Sequence, residues 1–477
     1  MDKSNRYDKF LQLRDEFPFF AYEGYDYSYS GHGLDIRYYF NLSDKFHFSP
    51  TIFIPKKEFF IPEEEIMELL PTLVFHLGLI ELISYWKAAC PKQLIIKPHA
   101  LSPDQVLWWK KCWFNGLGEF FFLNSISTDI EQFIDVKVAS EEYLSPIRCA
   151  LKPDVIVPVG GGKDSIVSLE ILRKLPGVTP LILNPRGASV HSIFMAGFSH
   201  AGMIGISRSI DPLLLELNDS GFLNGHTPFS ALLAFSCILS AVLAGKKYIA
   251  LSNESSANES TIPGLPVNHQ YSKTVEFEED FRAYVKEWIS PEIEYFSLLR
   301  PLNELQIAGI FTRYPIYFPV FKSCNVGSKT DSWCGKCPKC LFTCIMLSPF
   351  LNPDQLVEIF HRDLLNDTGL KPTLDQLTGI TPDKPFECVG TLDEVNAALQ
   401  ETIKQYGDQP LPALLHDYAG LNPSVIARPG PRETKQPAMP PAPVLGNSTF
   451  NDLLNAWNPF NFLPPKFEAL LKGVLRG

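Results

Sequence analysis

The chain has 477 residues, 45% of them hydrophobic and 20% charged, with a formal net charge of −11. That is enough apolar material for two or three domains with cores of their own. The acidic balance, with no long Lys/Arg run, argues against a nucleic-acid backbone as the main partner. Ten cysteines, behind a first stretch MDKSNRYDKF that carries no apolar core, point to a reducing, cytoplasmic setting in which thiols are buried, metal-bound or catalytic.

Residues 1–150 read as an N-terminal α+β domain. Tyr22 to Phe60 is rich in Tyr, Phe and Ile with broken alternation, which predicts antiparallel strands with turns at Asn41-Leu42-Ser43-Asp44 and at Ser49-Pro50. Three acids after Pro62 open a long apolar helix, kinked or split at Pro71. Ser102-Pro103-Asp104 starts a second helix, with Ser as cap and Pro at the first helical position, reaching about Leu123.

Residues 151–345 alternate strand and helix. Strands are expected at 154–159, at PLILN (180–184), at 202–210 and at 248–252, with a helix after Ser165 and an apolar helix from Pro228 to Gly245. Such alternation predicts a doubly wound parallel sheet, an α/β fold. The Pro228–Gly245 run is short for a membrane span and contains three Ser, so it reads as a buried helix, with no membrane partner implied. In such sheets ligands sit at the carboxyl ends of the strands. That rule puts Asn184, Asn253 and Glu254 on one rim with the glycine loop that follows residue 159.

That loop is DVIVPVGGGKDSIVSLE, residues 154–170. A buried strand runs into Gly160, Gly161 and Gly162, and Lys163, Asp164 and Ser165 then open a helix. Three glycines let backbone N–H groups turn inward without Cβ clashes, and the helix start adds unpaired donors. Lys163 supplies a point charge, Ser165 a hydroxyl, and Asp164 a carboxylate able to hold Mg²⁺. Neither the Walker A nor the dinucleotide spacing is met. The stretch resembles the PP-loop, S-G-G-x-D-S, of the ATP pyrophosphatase superfamily, with Gly160 standing where the first Ser belongs. The resemblance implies ATP split between its α- and β-phosphates, and leaves one expected hydroxyl contact missing. The plain alternative, a glycine-rich turn with no ligand, is disfavoured by the strand before it and the helix after it.

Cys334, Cys337 and Cys340 follow C-x-x-C-x-x-C spacing, and Cys324 precedes them. Four thiolates close a tetrahedral structural Zn²⁺ site. An iron–sulfur cluster also takes four cysteines, so spacing alone leaves the metal open. Beyond the sheet, residues 346–421 read as a C-terminal extension, 422–449 as a disordered Pro-rich linker, and 450–477 as an apolar segment that docks on the chain or binds a partner.

Several stretches in one consistent order resemble the UDP-N-acetylmuramoyl-L-alanyl-L-glutamate epimerases, the MurL family. They are SYWKAA (84–89), NGLGEF (115–120), PVGGGKDS (158–165), LSNES (251–255), NHQYSK (268–273), SLLRPLNEL (297–305), SCN (323–325), WCGKCPKC (333–340) and KPFECVG (384–390). The resemblance implies a soluble bacterial enzyme using ATP and Mg²⁺. It would invert the terminal L-glutamate of UDP-MurNAc-L-Ala-L-Glu for peptidoglycan synthesis, releasing AMP and pyrophosphate. A dedicated L-glutamate ligase would supply the substrate. Inversion needs an acid/base on each face of the carbon, or one that moves. His269 and Cys388, both within matched stretches, are candidates, with Lys87 and Lys273 in reserve and Lys163 at the phosphates. Each of His269 and Cys388 has a purely structural alternative. Arg300 would hold a carboxylate or phosphate of the substrate, or else pair with an acid. The glycine loop followed by cysteines also resembles the 7-cyano-7-deazaguanine synthases, which adenylate a carboxylate and make an amide. A tRNA-thiolating enzyme and a silent nucleotide-binding scaffold complete the alternatives.

Overall fold

The computed structural model describes residues 3–259, 268, 270–381, 384–420 and 448–476. His269 and nearly all of the expected Pro-rich linker lie outside these. The described strands are β1 Phe19–Tyr29, β2 Gly33–Leu42, β3 Phe46–Phe48, β4 Thr51–Pro55, β5 Gln93–Ile96, β6 Asp135–Val138, β7 Lys152–Pro158, β8 Val178–Leu183, β9 Ile204–Ser209, β10 Lys246–Leu251 and β11 Glu294–Ser297. They form one mixed sheet in the order β11-β10-β7-β8-β9-β4-β2-β1-β5-β6, with β3 beside β2.

The five strands β11, β10, β7, β8 and β9 are parallel throughout. Alternate residues of β7 explain why its second half, residues 155–158, is continuously apolar and buried. Val155 and Val157 belong to one buried cluster, shared with helices Lys163–Leu172, Glu304–Phe311 and Pro338–Leu347. Ile156 belongs to the other, shared with helix Phe229–Leu243. A strand covered on both faces has no side left for polar residues.

The sheet does not stop at residue 150. β4 pairs antiparallel with β9, Ile52 opposite Arg208, and so carries the sheet into the N-terminal strands. β5 and β6 then extend the far edge in parallel with β1, strands for which the sequence carried no clear signal. The turn at residues 41–44 forms as expected, with Ser43 and Asp44 at φ 52° and 56°.

The long apolar helix spans Glu63–Glu81 and carries Pro71 inside it. Its break falls at Leu82, before the short helix Ile83–Trp86, and not at the proline. This stretch is long and apolar enough to cross a membrane by composition, but 78% of its apolar 18-residue window is buried within the fold. Ser102 caps the next helix as expected: its hydroxyl accepts from Gln105 N, and Gln105 Oε1 accepts from Ser102 N. That helix ends at Gly116, and a separate one runs Gly118–Leu123. At the other end, the helix Pro465–Arg476 docks on the chain itself. Phe467 and Leu471 are fully buried, and Phe467 packs against Tyr248 and Phe296.

Candidate active site at the glycine loop

The chain builds β7 first, steps outward through β8 and β9, then returns to the opposite side of β7 for β10 and β11. The carboxyl ends of β7 and β10 therefore flank the point where strand order reverses, where an open α/β sheet leaves a crevice. The glycine loop follows β7 directly. A cleft of about 590 Å³ opens there, lined by Gly160, Gly162, Asp164 and Ser165, and by Asn184, Asn253 and Glu254 from the neighbouring strand ends.

The glycines are required by the loop's shape. Gly161 has φ +86°, and a Cβ on it would lie 2.7 Å from Ser189 N. A Cβ on Gly162 would lie 2.8 Å from Ser323 Oγ. Ser165 holds the loop from inside: its hydroxyl accepts from Gly161 N at 3.2 Å and donates to Gly162 O at 3.0 Å. Gly162 sits at the N-cap of helix Lys163–Leu172 and no side chain caps that end, so its first amides remain suited to an anion.

Behind the loop lies a buried charge cluster. The Lys163 ammonium, 3% exposed, donates to both Asp164 and Glu304. Burial alone would lower the Lys163 pKa, but the two carboxylates outweigh it and hold the ammonium above its ordinary value. Burial pushes the Glu304 carboxyl up to about 8 against the opposing pull of Lys163, with the Asp164 charge adding to the rise. Burial and the neighbouring Asp164 charge push Glu254 up as well. For Asp164 burial acts upward, but Lys163, Lys339 and Lys273 together bring it below its ordinary value. Asp164 and Glu254 both line the cleft beside the loop, and two carboxylates so placed form a fitting pair of oxygen ligands for a divalent cation.

Lys273 lines the same cleft and donates to Cys388 Sγ at 3.2 Å. Of the two expectations for Arg300, the second holds. It is fully buried, ion-paired with Glu278 at 3.1 Å, and donates to the carbonyls of Glu254 (2.6 Å) and Lys273. It therefore fixes the backbone beneath two cleft residues. Lys87 is buried, donates to Gly225 O, and is pushed down to about 8 by burial with Arg208 nearby. It is not a wall of the cleft.

Cys324, Cys334, Cys337 and Cys340 bring their sulfurs within 4.8 Å of one another. Three of the separations are 3.8, 3.7 and 3.5 Å. A single ion with metal–sulfur bonds of about 2.3 Å in a tetrahedron spaces its sulfurs by roughly 3.8 Å, so the four thiols fit one such ion. An iron–sulfur core interposes more than one iron and needs wider spacing. Backbone amides of Gly327 and Cys334 point at Cys324 Sγ, at 3.1 and 3.4 Å, which suits a thiolate. Cys344 lies outside the group and is buried in the core.

Several residues of this site were not singled out from sequence. Glu304 sits in SLLRPLNEL, but only the fold brings it to Lys163. Glu394 accepts from the Glu304 amide at 2.8 Å and from Ser256 at 2.5 Å, tying helix Leu392–Tyr406 to the site. Lys322, Ser323 and Lys339 also line the cleft. Their position beside the clustered cysteines was the available signal.

The MurL N-terminal domain family matches residues 12–298, and the MurL C-terminal domain family residues 320–417. A protein of Salinispora tropica named UDP-N-acetyl-alpha-D-muramoyl-L-alanyl-L-glutamate epimerase is 36% identical over 369 residues, 75% of this chain and 79% of its own length. Proteins of the same name from Xanthomonas oryzae pv. oryzae and a Micromonospora species are 36% and 35% identical, covering 68% and 70% of this chain and 72% and 76% of their own. No solved structure matches the chain. With both family domains present in order, and relatives covered over most of their length, the chain belongs to the MurL epimerase family.

Proposed function

We propose that this chain inverts the terminal L-glutamate of UDP-MurNAc-L-Ala-L-Glu to D-glutamate, and that it first activates the glutamate α-carboxylate with ATP. The relatives' shared name supports the substrate and the outcome. The observation that carries the chemistry is that one cleft joins a PP-loop-like glycine turn to Lys273, whose ammonium donates to the Cys388 sulfur.

Removing the hydrogen from a carbon beside a carboxylate puts a second negative charge next to the first. Adenylation removes the first. The carboxylate oxygen attacks the α-phosphorus, pyrophosphate leaves, and the resulting acyl adenylate carries a far more acidic C–H. The amides of the glycine loop stabilise charge on the transferring phosphate, and Lys163 adds positive charge from behind the loop. Asp164 and Glu254 would hold Mg²⁺, which supplies charge neutralisation at the phosphates when bound. The four cysteines would hold Zn²⁺ in a closed, structural site.

Cys388, as a thiolate beside the Lys273 ammonium, takes the α-proton from one face. Positive charge from Lys273 stabilises the enolate oxygen. Protonation from the opposite face, assigned to His269 in the same NHQYSK stretch as Lys273, inverts the centre. Water then splits the mixed anhydride to the carboxylate and AMP. The setting would be cytoplasmic, where ATP and UDP-linked precursors meet. The substrate would come from a ligase that adds L-glutamate to UDP-muramoyl-L-alanine.

The test is to incubate the protein with ATP, Mg²⁺ and the UDP-linked dipeptide in D₂O. AMP is quantified, and L- and D-glutamate are resolved after hydrolysis. AMP, α-deuterium and D-glutamate should appear together and only with ATP present. Inversion in the absence of nucleotide would rule the reading out.

A further inference from the structure

The glycine loop has one gap: Gly160 brings no hydroxyl where the PP-loop pattern has one. The segment that carries the metal cysteines reaches into that gap. Lys322 N donates to Gly161 O at 2.9 Å, which clamps the segment against the loop. Ser323 follows, its hydroxyl so close to Gly162 that a Cβ there would lie 2.8 Å from it. Ser323 Oγ lines the cleft and makes no hydrogen bond to any described residue. Lys339, from the start of helix Pro338–Leu347, lines the same cleft. Its ammonium has no ion-pair partner among the described residues, although its charge is felt at Asp164. In a chain of net charge −11, an unpartnered lysine facing a glycine loop is a cation kept for an anionic ligand.

The cysteine cluster sets where both side chains sit. Ser323 directly precedes Cys324, and Lys339 lies between Cys337 and Cys340. Four sulfurs within 4.8 Å leave the residues between and beside them little freedom. This explains why a closed structural metal site should stand at the edge of a reaction cleft.

We propose that Ser323 and Lys339 complete the phosphate cradle, forming the site for the pyrophosphate end of the nucleotide. The inference rests on the nucleotide reading above and deepens it. The Ser323 hydroxyl replaces the donor missing at Gly160, and the Lys339 ammonium meets charge that builds on the leaving pyrophosphate. Both interactions strengthen as the bond to the α-phosphorus breaks.

The test uses calorimetric titration of the full chain, zinc-loaded and with Mg²⁺, by inorganic pyrophosphate and separately by AMP. Ser323→Ala and Lys339→Met should each weaken pyrophosphate binding by about tenfold, leave AMP binding unchanged and keep the zinc content of the unaltered chain. Lys339→Arg should restore most of the pyrophosphate affinity. If the unaltered chain binds AMP and both variants bind pyrophosphate as it does, the inference fails and the nucleotide reading stands. Equal loss of AMP and pyrophosphate would assign both residues to holding the loop in shape and would also overturn it. If the unaltered chain binds neither probe, the nucleotide reading fails and takes the inference with it.

Discussion

The ammonium of Lys273 lies 3.2 Å from the sulfur of Cys388, a residue 115 positions further along the chain. Burial by itself would pull the Lys273 pKa down, but Cys388 and Glu254 outweigh it and keep the group charged. A fixed positive charge on a sulfur favours the thiolate, the form that can take a proton. Cys388→Ala should therefore slow exchange of the glutamate α-hydrogen with solvent by at least about 100-fold, while substrate-dependent AMP release continues. Mass spectrometry of the recovered glutamate reads the exchange. Wild-type exchange in the variant would remove Cys388 from the reaction.

Lys163 is held between Asp164 and Glu304. Glu304→Gln removes one of its two carboxyl partners while keeping the side chain's shape. Breaking a buried pair costs about 3 kcal/mol or more when one charge is left behind, and Asp164 retains part of the interaction here. The expected result is a loss of about 2 kcal/mol in urea denaturation with a fall in AMP formation. Lys163→Met should abolish AMP formation. Full AMP formation by Lys163→Met would separate this lysine from the phosphates.

The sulfur geometry predicts one zinc ion per chain, read by metal analysis of the purified protein. Cys337→Ser should lose it. Binding free energies of tetrathiolate and related structural sites reach on the order of 10 kcal/mol in small zinc domains, so unloading should lower the melting temperature markedly. A metal-free variant that melts with the unaltered protein would show that the four thiols do not need an ion.

His76 is buried in the helix Glu63–Glu81, its Nδ1 donating to Thr72 O at 2.7 Å. Burial, against the smaller help of that hydrogen bond, drops its pKa from 6.5 to about 4. The unfolded chain therefore binds a proton that the folded chain refuses between pH 6.5 and about 4. The folded state loses stability as pH falls through that window and keeps it above. The full effect is roughly 3 kcal/mol. Urea denaturation against pH should show this slope, and His76→Gln should flatten it.

Phe467, carried by the tail helix Pro465–Arg476, fills a fully buried position against Tyr248 and Phe296. Phe467→Ala should cost about 3 kcal/mol, as aromatic truncations in cores do. The same tail braces the site from behind, since Asn303 and Gln306, which flank Glu304, donate to the carbonyls of Leu453 and Leu454 at 2.7 and 3.0 Å. AMP formation should therefore fall along with stability when residues 448–476 are deleted. Unchanged urea denaturation in Phe467→Ala would mean the tail helix does not hold the sheet.

Local physics was legible in the sequence. The β7–glycine–helix unit, the Ser102 cap, the turn at residues 41–44 and the cysteine spacing each depend on residues a few positions apart, whose conformational preferences act before the chain folds. The rim of Asn184, Asn253 and Glu254 followed too, because strand ends in a parallel sheet must share an edge. Glu304 beside Lys163, Cys388 on Lys273, Ser323 against Gly162 and the sheet's passage from β9 to β4 did not follow. Those pairings join segments separated by long stretches of chain, and their energy comes from burial and charge complementarity that exist only once the layers close. Arg300 shows the same division: its charge was visible in the sequence, but whether it met solvent, substrate or Glu278 was decided by packing.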